Sequence, residues 1–238
     1  MRGPLLVLLL AFGAVLLPGC AGQGGPAVRL TPSLYKVRHG DTLYSIAWRY
    51  GLNVDRLAAW NGLRPPYTIY PGQRLRLSPP PSARPPAAPA AAAPGAGRAP
   101  ATTRPAAPAL PQVVVWRWPA DGPVVRRFRP GQVGKQGIDI RVAPGTPVRA
   151  AADGKVVYSG NALKGYGELV IIKHSDALLS AYAYNRRRLV AQGERVRVGQ
   201  PIAEAGTDDR GVGMLHFEIR REGRPVDPLR YLPARRPR

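Results

Sequence analysis

Few residues in this chain can do acid–base or metal chemistry, and their placement limits what it can catalyse. The only histidines are His39, His174 and His216. His39 precedes a turn glycine in the N-terminal part and reads as a surface polar residue. His216 lies in the alternating run Leu215-His216-Phe217-Glu218-Ile219-Arg220 near the other end. Zinc-assisted hydrolysis needs three neutral or anionic ligands, an open position for water, and further groups that move protons. Three histidines, one of them in a separate part of the chain, set a low ceiling on that chemistry. The single cysteine, Cys20, excludes a disulfide framework and any Cys-rich zinc module within the monomer. Lys and Arg total 35 against 14 Asp and Glu, a formal charge of +21. This charge suits an anionic partner such as nucleic acid, a lipid headgroup surface or an acidic envelope polymer. A G+C-rich genome, which favours arginine codons, accounts for it equally well.

These residues are spread over a chain that is not uniform. It has 238 residues, of which 28 are proline and 27 glycine, too many for compact structure throughout. Arg2 and the apolar run Leu5 to Leu17 form a signal peptide, too short for the ~20 residues of a spanning helix. Leu17-Pro18-Gly19-Cys20 resembles a bacterial lipoprotein signal, which implies a lipidated Cys20 as the membrane anchor after residues 1–20. Ala21 resembles the outer-membrane sorting pattern, implying lipid anchoring at the periplasmic face of that membrane. Residues 21–33 read as a linker. Residues 79–112 are a Pro/Ala-rich linker, expected to be disordered with polyproline II character and to reach on the order of 100 Å if extended. Two ordered parts remain, 34–78 and 113–235.

In the first, a short strand leads to Gly40-Asp41-Thr42-Leu43. A capped helix carries Leu43, Ile46, Ala47 and Tyr50 at spacings of three and four. Gly51 stops it. A second helix over Asn53 to Asn61 follows, then a Pro-rich loop and a closing strand over Ile69 to Leu77. This α+β, βααβ pattern, with Gly-Asp-Thr-Leu, Asn-Gly-Leu and Pro-Gly-Gln in order, resembles the LysM domain. The resemblance implies binding of N-acetylglucosamine-containing glycan, here peptidoglycan. It places Gly40, Asp41, Thr42, Leu43 and the loop from Leu63 to Ile69 at the sugar.

The second part is a series of short β-branched segments between turn signals, read as a mainly-β sandwich or barrel-like fold opening with a strand at 113–119. Gly137-Ile138-Asp139-Ile140, Pro144-Gly145-Thr146-Pro147-Val148 and Leu215-His216-Phe217-Glu218 resemble the LytM, or lysostaphin-type, zinc peptidases. Carried over from that family residue by residue, the metal and proton-transfer positions hold Lys135, Asp139, Tyr184, Met214 and His216. A lysine ligates zinc only when neutral, against an ordinary pKa of ~10.4. Met214 has no proton to move. The domain is therefore read as a degenerate LytM fold with no metal, cofactor or catalytic residue. Lys135 pairing with Asp139 in place of the ion, and relics held by ordinary hydrogen bonds, both account for what remains.

Lipoprotein signal, LysM, Pro-rich linker and degenerate LytM domain, in that order, resemble the NlpD family of murein hydrolase activators. The segment from Gly160 to Gly167 extends the likeness. The resemblance implies a protein that activates periplasmic N-acetylmuramoyl-L-alanine amidases in septal peptidoglycan splitting and daughter-cell separation. The groove residues implied are Lys135, Asp139, Tyr166, Tyr184, Met214 and His216. Export argues against nucleic acid as a partner. The alternative reading is a zinc endopeptidase that cuts peptidoglycan cross-bridges with atypical ligands.

Overall fold

The computed structural model describes residues 32–80, 114–131 and 136–235. The segment read as a signal peptide with Cys20, most of the two segments read as linkers, and Lys135 lie outside the described residues.

In the LysM part, β1 (Leu34–Lys36) pairs antiparallel with β2 (Arg74–Arg76), with Tyr35 opposite Leu75. Helix α1 (Leu43–Tyr50) begins with a reciprocal capping box. Thr42 Oγ1 accepts from the Ser45 amide, and Ser45 Oγ accepts from the Thr42 amide. The left-handed Gly51 ends it. Helix α2 (Val54–Trp60) is capped by Asn53. Tyr35, Val37, Leu43, Ile46, Leu57, Leu75 and Leu77 form a core of their own. The closing strand is shorter than the expected 69–77. A turn over Tyr70–Gln73, in which Gly72 donates to the Val37 carbonyl at 2.9 Å, delays regular pairing until Arg74.

The large domain is mainly β, as expected. Its strands are β3 (Val124–Arg126), β4 (Ile138–Arg141), β5 (Pro147–Arg149), β6 (Gly154–Gly160), β7 (Glu168–Lys173), β8 (Leu178–Arg188), β9 (Arg195–Val196), β10 (Pro201–Thr207), β11 (Gly213–Arg221) and β12 (Arg224–Val226). All pairings are antiparallel, in the order β3-β4-β11-β10-β8-β7-β6-β9 with an added β11–β8 pairing. The segment 114–118 is not a strand. It joins the body through isolated backbone bonds, such as Arg117 N to the Ala151 carbonyl at 2.7 Å, and buries Trp116. Ile138, Ile140, Val148, Val156, Ile202, Leu215, Phe217 and Ile219 fill the core inside the curved sheet.

One bend shapes the site. The first half of β8 pairs with β11 (Leu178 to Ala183), and its second half pairs with β10 (Asn185 to Arg188). The change of partner falls at Tyr184, whose φ of 62° is unusual for a non-glycine residue. Gly206 permits it, because a Cβ there would sit 2.8 Å from the Tyr184 carbonyl oxygen.

Candidate functional site

Strand register assembles the site from four separate segments. Arg126 lies opposite Asp139 across β3–β4, Asp139 opposite His216 across β4–β11, and His216 opposite Ala183 across β11–β8. Cross-strand neighbours on one face touch, so this row becomes a chain of charged groups. Arg126 donates to both carboxylate oxygens of Asp139, at 2.6 and 2.8 Å. Asp139 Oδ1 is 2.7 Å from His216 Nδ1, and Glu218 Oε1 is 3.0 Å from His216 Nε2. Glu218 Oε2 then takes Arg220, and the Tyr166 hydroxyl donates to Glu218 Oε1 at 2.9 Å. Alternation along β11 explains the placement. Leu215, Phe217 and Ile219 enter the core, which turns His216, Glu218 and Arg220 to the other face.

These charges are buried. Asp139, His216, Glu218 and Arg220 are 6%, 5%, 1% and 2% exposed, so each must be paired to be tolerated. Burial lowers the His216 pKa, but hydrogen bonds to Asp139 and Glu218 outweigh it and hold the imidazole up at about 8. Burial raises the Glu218 carboxyl, yet Arg220 and His216 pull it down to about 2. Asp139 is likewise lowered, because burial is outweighed by His216 and Arg126. With a carboxylate against each ring nitrogen, His216 satisfies both by donating from both, as an imidazolium.

That donor set does not fit zinc. A histidine ligand must be neutral with a lone pair aimed at the ion. Both nitrogens of His216 face carboxylates instead, and Asp139 is engaged by Arg126 and His216. Among the described residues the cations on Asp139 are thus His216 and Arg126, the latter a residue not singled out from the sequence.

Of the expected groove residues, Asp139, Tyr166, Tyr184 and His216 meet. The Tyr166 and Tyr184 rings lie 6.1 and 5.7 Å from the His216 ring. The Tyr184 amide donates to the Tyr166 carbonyl at 2.9 Å, which pins the Gly160–Gly167 segment against the bend. Met214 is buried on β11, two residues before His216 and by alternation on its face. His174 belongs elsewhere. Its ring bonds the Asp153 carbonyl and Ser180 Oγ, each at 2.7 Å, and packs edge-on against Trp116. Burial holds its pKa down at about 4. Sequence reading missed Arg126, Glu218 and Arg220. The period-2 polar series His216-x-Glu218-x-Arg220 within an apolar strand was the available signal for the last two.

In the LysM part, Gly40 is exposed in the turn and His39 is exposed beside it. The Asp41 side chain is turned inward, accepting from the Tyr35 hydroxyl and the Arg38 amide and pairing with Arg49. Leu43 belongs to the core, and Leu63 and Ile69 pack partly buried against it.

A model described as Peptidase family M23 matches residues 133–228, and the LysM domain model matches 35–78. The chain is 45% identical over 248 residues to the "Lipoprotein NlpD/LppB homolog" of Pseudomonas aeruginosa, covering 90% of this chain and 82% of that protein. It is 37% identical over 257 residues to the "Outer membrane antigenic lipoprotein B" of Haemophilus influenzae, covering 84% and 64%. It is 35% identical over 259 residues to the "Murein hydrolase activator NlpD" of Escherichia coli K12, covering 85% and 68%.

Proposed function

This chain belongs to the NlpD/LppB family of lipoproteins and murein hydrolase activators, and from that membership we propose an adaptor that holds peptidoglycan and switches on a wall-cutting amidase without cutting wall itself. Lipid on Cys20 anchors it to the outer membrane at the periplasmic face. The LysM domain binds glycan through the turn at Gly40 to Thr42 and the loop from Leu63 to Ile69. The LytM surface around Tyr166, Tyr184, Met214 and His216, to which family position also assigns Lys135, engages an N-acetylmuramoyl-L-alanine amidase and stabilises its active state. A partner shifts such an equilibrium only by its differential affinity for the two states.

The observation that carries this reading is the His216 imidazole closed on both sides by Asp139 and Glu218. A ring held as a double donor has no electron pair for a metal and no vacant nitrogen to take a proton from water. The Tyr166 and Tyr184 rings beside His216 supply aromatic groups of the kind that anchor a protein partner. The test is release of dye from labelled sacculi by a cognate amidase, with and without the full chain. Stimulation by wild type and its reduction by Tyr184→Ala are expected. Hydrolysis by the chain alone that a chelator abolishes would overturn the reading.

A further inference from the structure

Helix α1 has two apolar faces. Leu43, Ile46 and Ala47 enter the LysM core, but Trp48 does not, although it is only 3% exposed. With Tyr44 partly buried at its side, Trp48 packs instead against Val157, Leu163, Leu169, Ile171, Ala181 and Ala183 of the LytM domain. Residues four apart share a face, and a short helix that is apolar on two faces must be covered on both. The Arg220 guanidinium lies 3.6 Å from the centre of the Trp48 ring, and its Nη1 donates to the Trp48 carbonyl at 2.6 Å. Trp48 also lies beside the Tyr166 hydroxyl. Thus the LysM helix caps the Arg220 end of the charged row and covers the Gly160–Gly167 segment through Leu163. At the rim, Asn53 Nδ2 donates to Glu222 Oε2 at 2.7 Å and Arg49 reaches the Ala162 carbonyl at 3.4 Å.

The same contact occupies the LysM side. Thr42, in the turn assigned to glycan, has its hydroxyl 3.5 Å from the Val157 carbonyl. Glycan and the docked LytM face therefore compete for one turn. That competition supplies the differential affinity a ligand needs in order to shift a docked–undocked equilibrium.

We propose that the LysM domain is a built-in cover on the LytM groove, docked through Trp48 over Arg220 and lifted when peptidoglycan glycan takes the Thr42 turn. This rests on the activator reading above and adds its regulation: the amidase surface opens only on the wall. If the docked form outnumbers the open form about tenfold, apparent amidase affinity falls about tenfold, because only the open fraction competes for partner.

Two variants undo the docking from opposite sides. Trp48→Ala removes the anchor and leaves the LysM core intact. Gly223→Ala places a Cβ 2.3 Å from the Leu52 carbonyl oxygen, at a turn whose φ of +77° also disfavours alanine. The first measurement needs no amidase. Acrylamide quenching of Trp48 fluorescence, taken as full chain minus Trp48→Phe, is expected to be low in wild type. It rises with Gly223→Ala or with tetra-N-acetylglucosamine. The second measures binding of the full chain to an immobilised cognate amidase. Both undocked variants, each with wild-type circular dichroism, bind about tenfold tighter than wild type. Tetra-N-acetylglucosamine raises wild type to their level and leaves the variants unchanged. Trp48 freely quenched in wild type, or quenching untouched by the sugar, overturns the cover. So does equal amidase affinity of docked and undocked forms. Quenching as expected with no amidase binding by any form sinks the activator reading and the cover's regulatory role with it, and leaves only the docking.

Discussion

Stability of the LytM domain should fall on both sides of about pH 6.5, and a different histidine should govern each side. His216 titrates at about 8 in the folded protein against an ordinary 6.5. Facing it are Asp139, Glu218 and Arg126, with the Tyr166 and Tyr184 rings alongside. The folded state holds the proton more tightly than the unfolded chain. Its contribution is complete below pH 6.5 and is lost as pH rises through 8. A displacement of about 1.5 in pKa corresponds to about 2 kcal/mol. His174 behaves oppositely. Its folded value of about 4 reflects a neutral ring buried under Trp116. That contribution is complete above pH 6.5 and is lost as pH falls toward 4, about 3 kcal/mol in all. Glu218, held at about 2, titrates below both windows. Urea denaturation of the full chain between pH 5 and 9, followed at the LytM transition, measures both limbs. His216→Gln should flatten the alkaline limb and leave the acid limb in place. An unchanged alkaline slope in that variant, or wild-type stability that rises from pH 6.5 to 8, would refute the double-donor imidazolium.

Arg126→Ala leaves Asp139 with His216 as its remaining described cation. Since the Arg126 side chain is 27% exposed, the loss should be about 1–3 kcal/mol in the same denaturation experiment, and Arg126→Lys should recover only part of it because the two-point contact is gone. Lys135→His restores a histidine at a family ligand position, yet the chain should still release no fragments from sacculi, because Tyr184 and Met214 stand where protons must move. Deleting residues 34–78 should abolish co-sedimentation with sacculi; full retention would assign wall binding to the basic LytM domain. Cys20→Ser should move the protein from the membrane fraction to the soluble one, and an unchanged distribution would refute lipid anchoring at that residue.

Local chemistry determined much of this protein from the sequence by itself. Thr42, Ser45 and Gly51 start and stop α1 through bonds within a few residues, so the helix was legible along with the βααβ order. The alternation of Leu215, Phe217 and Ile219 with His216, Glu218 and Arg220 marked a strand with one apolar and one charged face. What that charged face meets was not legible. Arg126 reaches Asp139 only because β3 and β4 pair in one register, and a slip of one residue would turn it to the other face. Tyr184 follows an ordinary strand pattern, and its bend exists because β8 changes partner between β11 and β10. The segment 114–118 has the composition of a strand but finds no continuous edge to pair with. Trp48 could have served either face of its helix, and the tertiary structure alone sets it against Arg220 of another domain. Caps and alternation are fixed by neighbours in the chain, whereas register, bends and domain docking depend on partners 13 to 172 positions away.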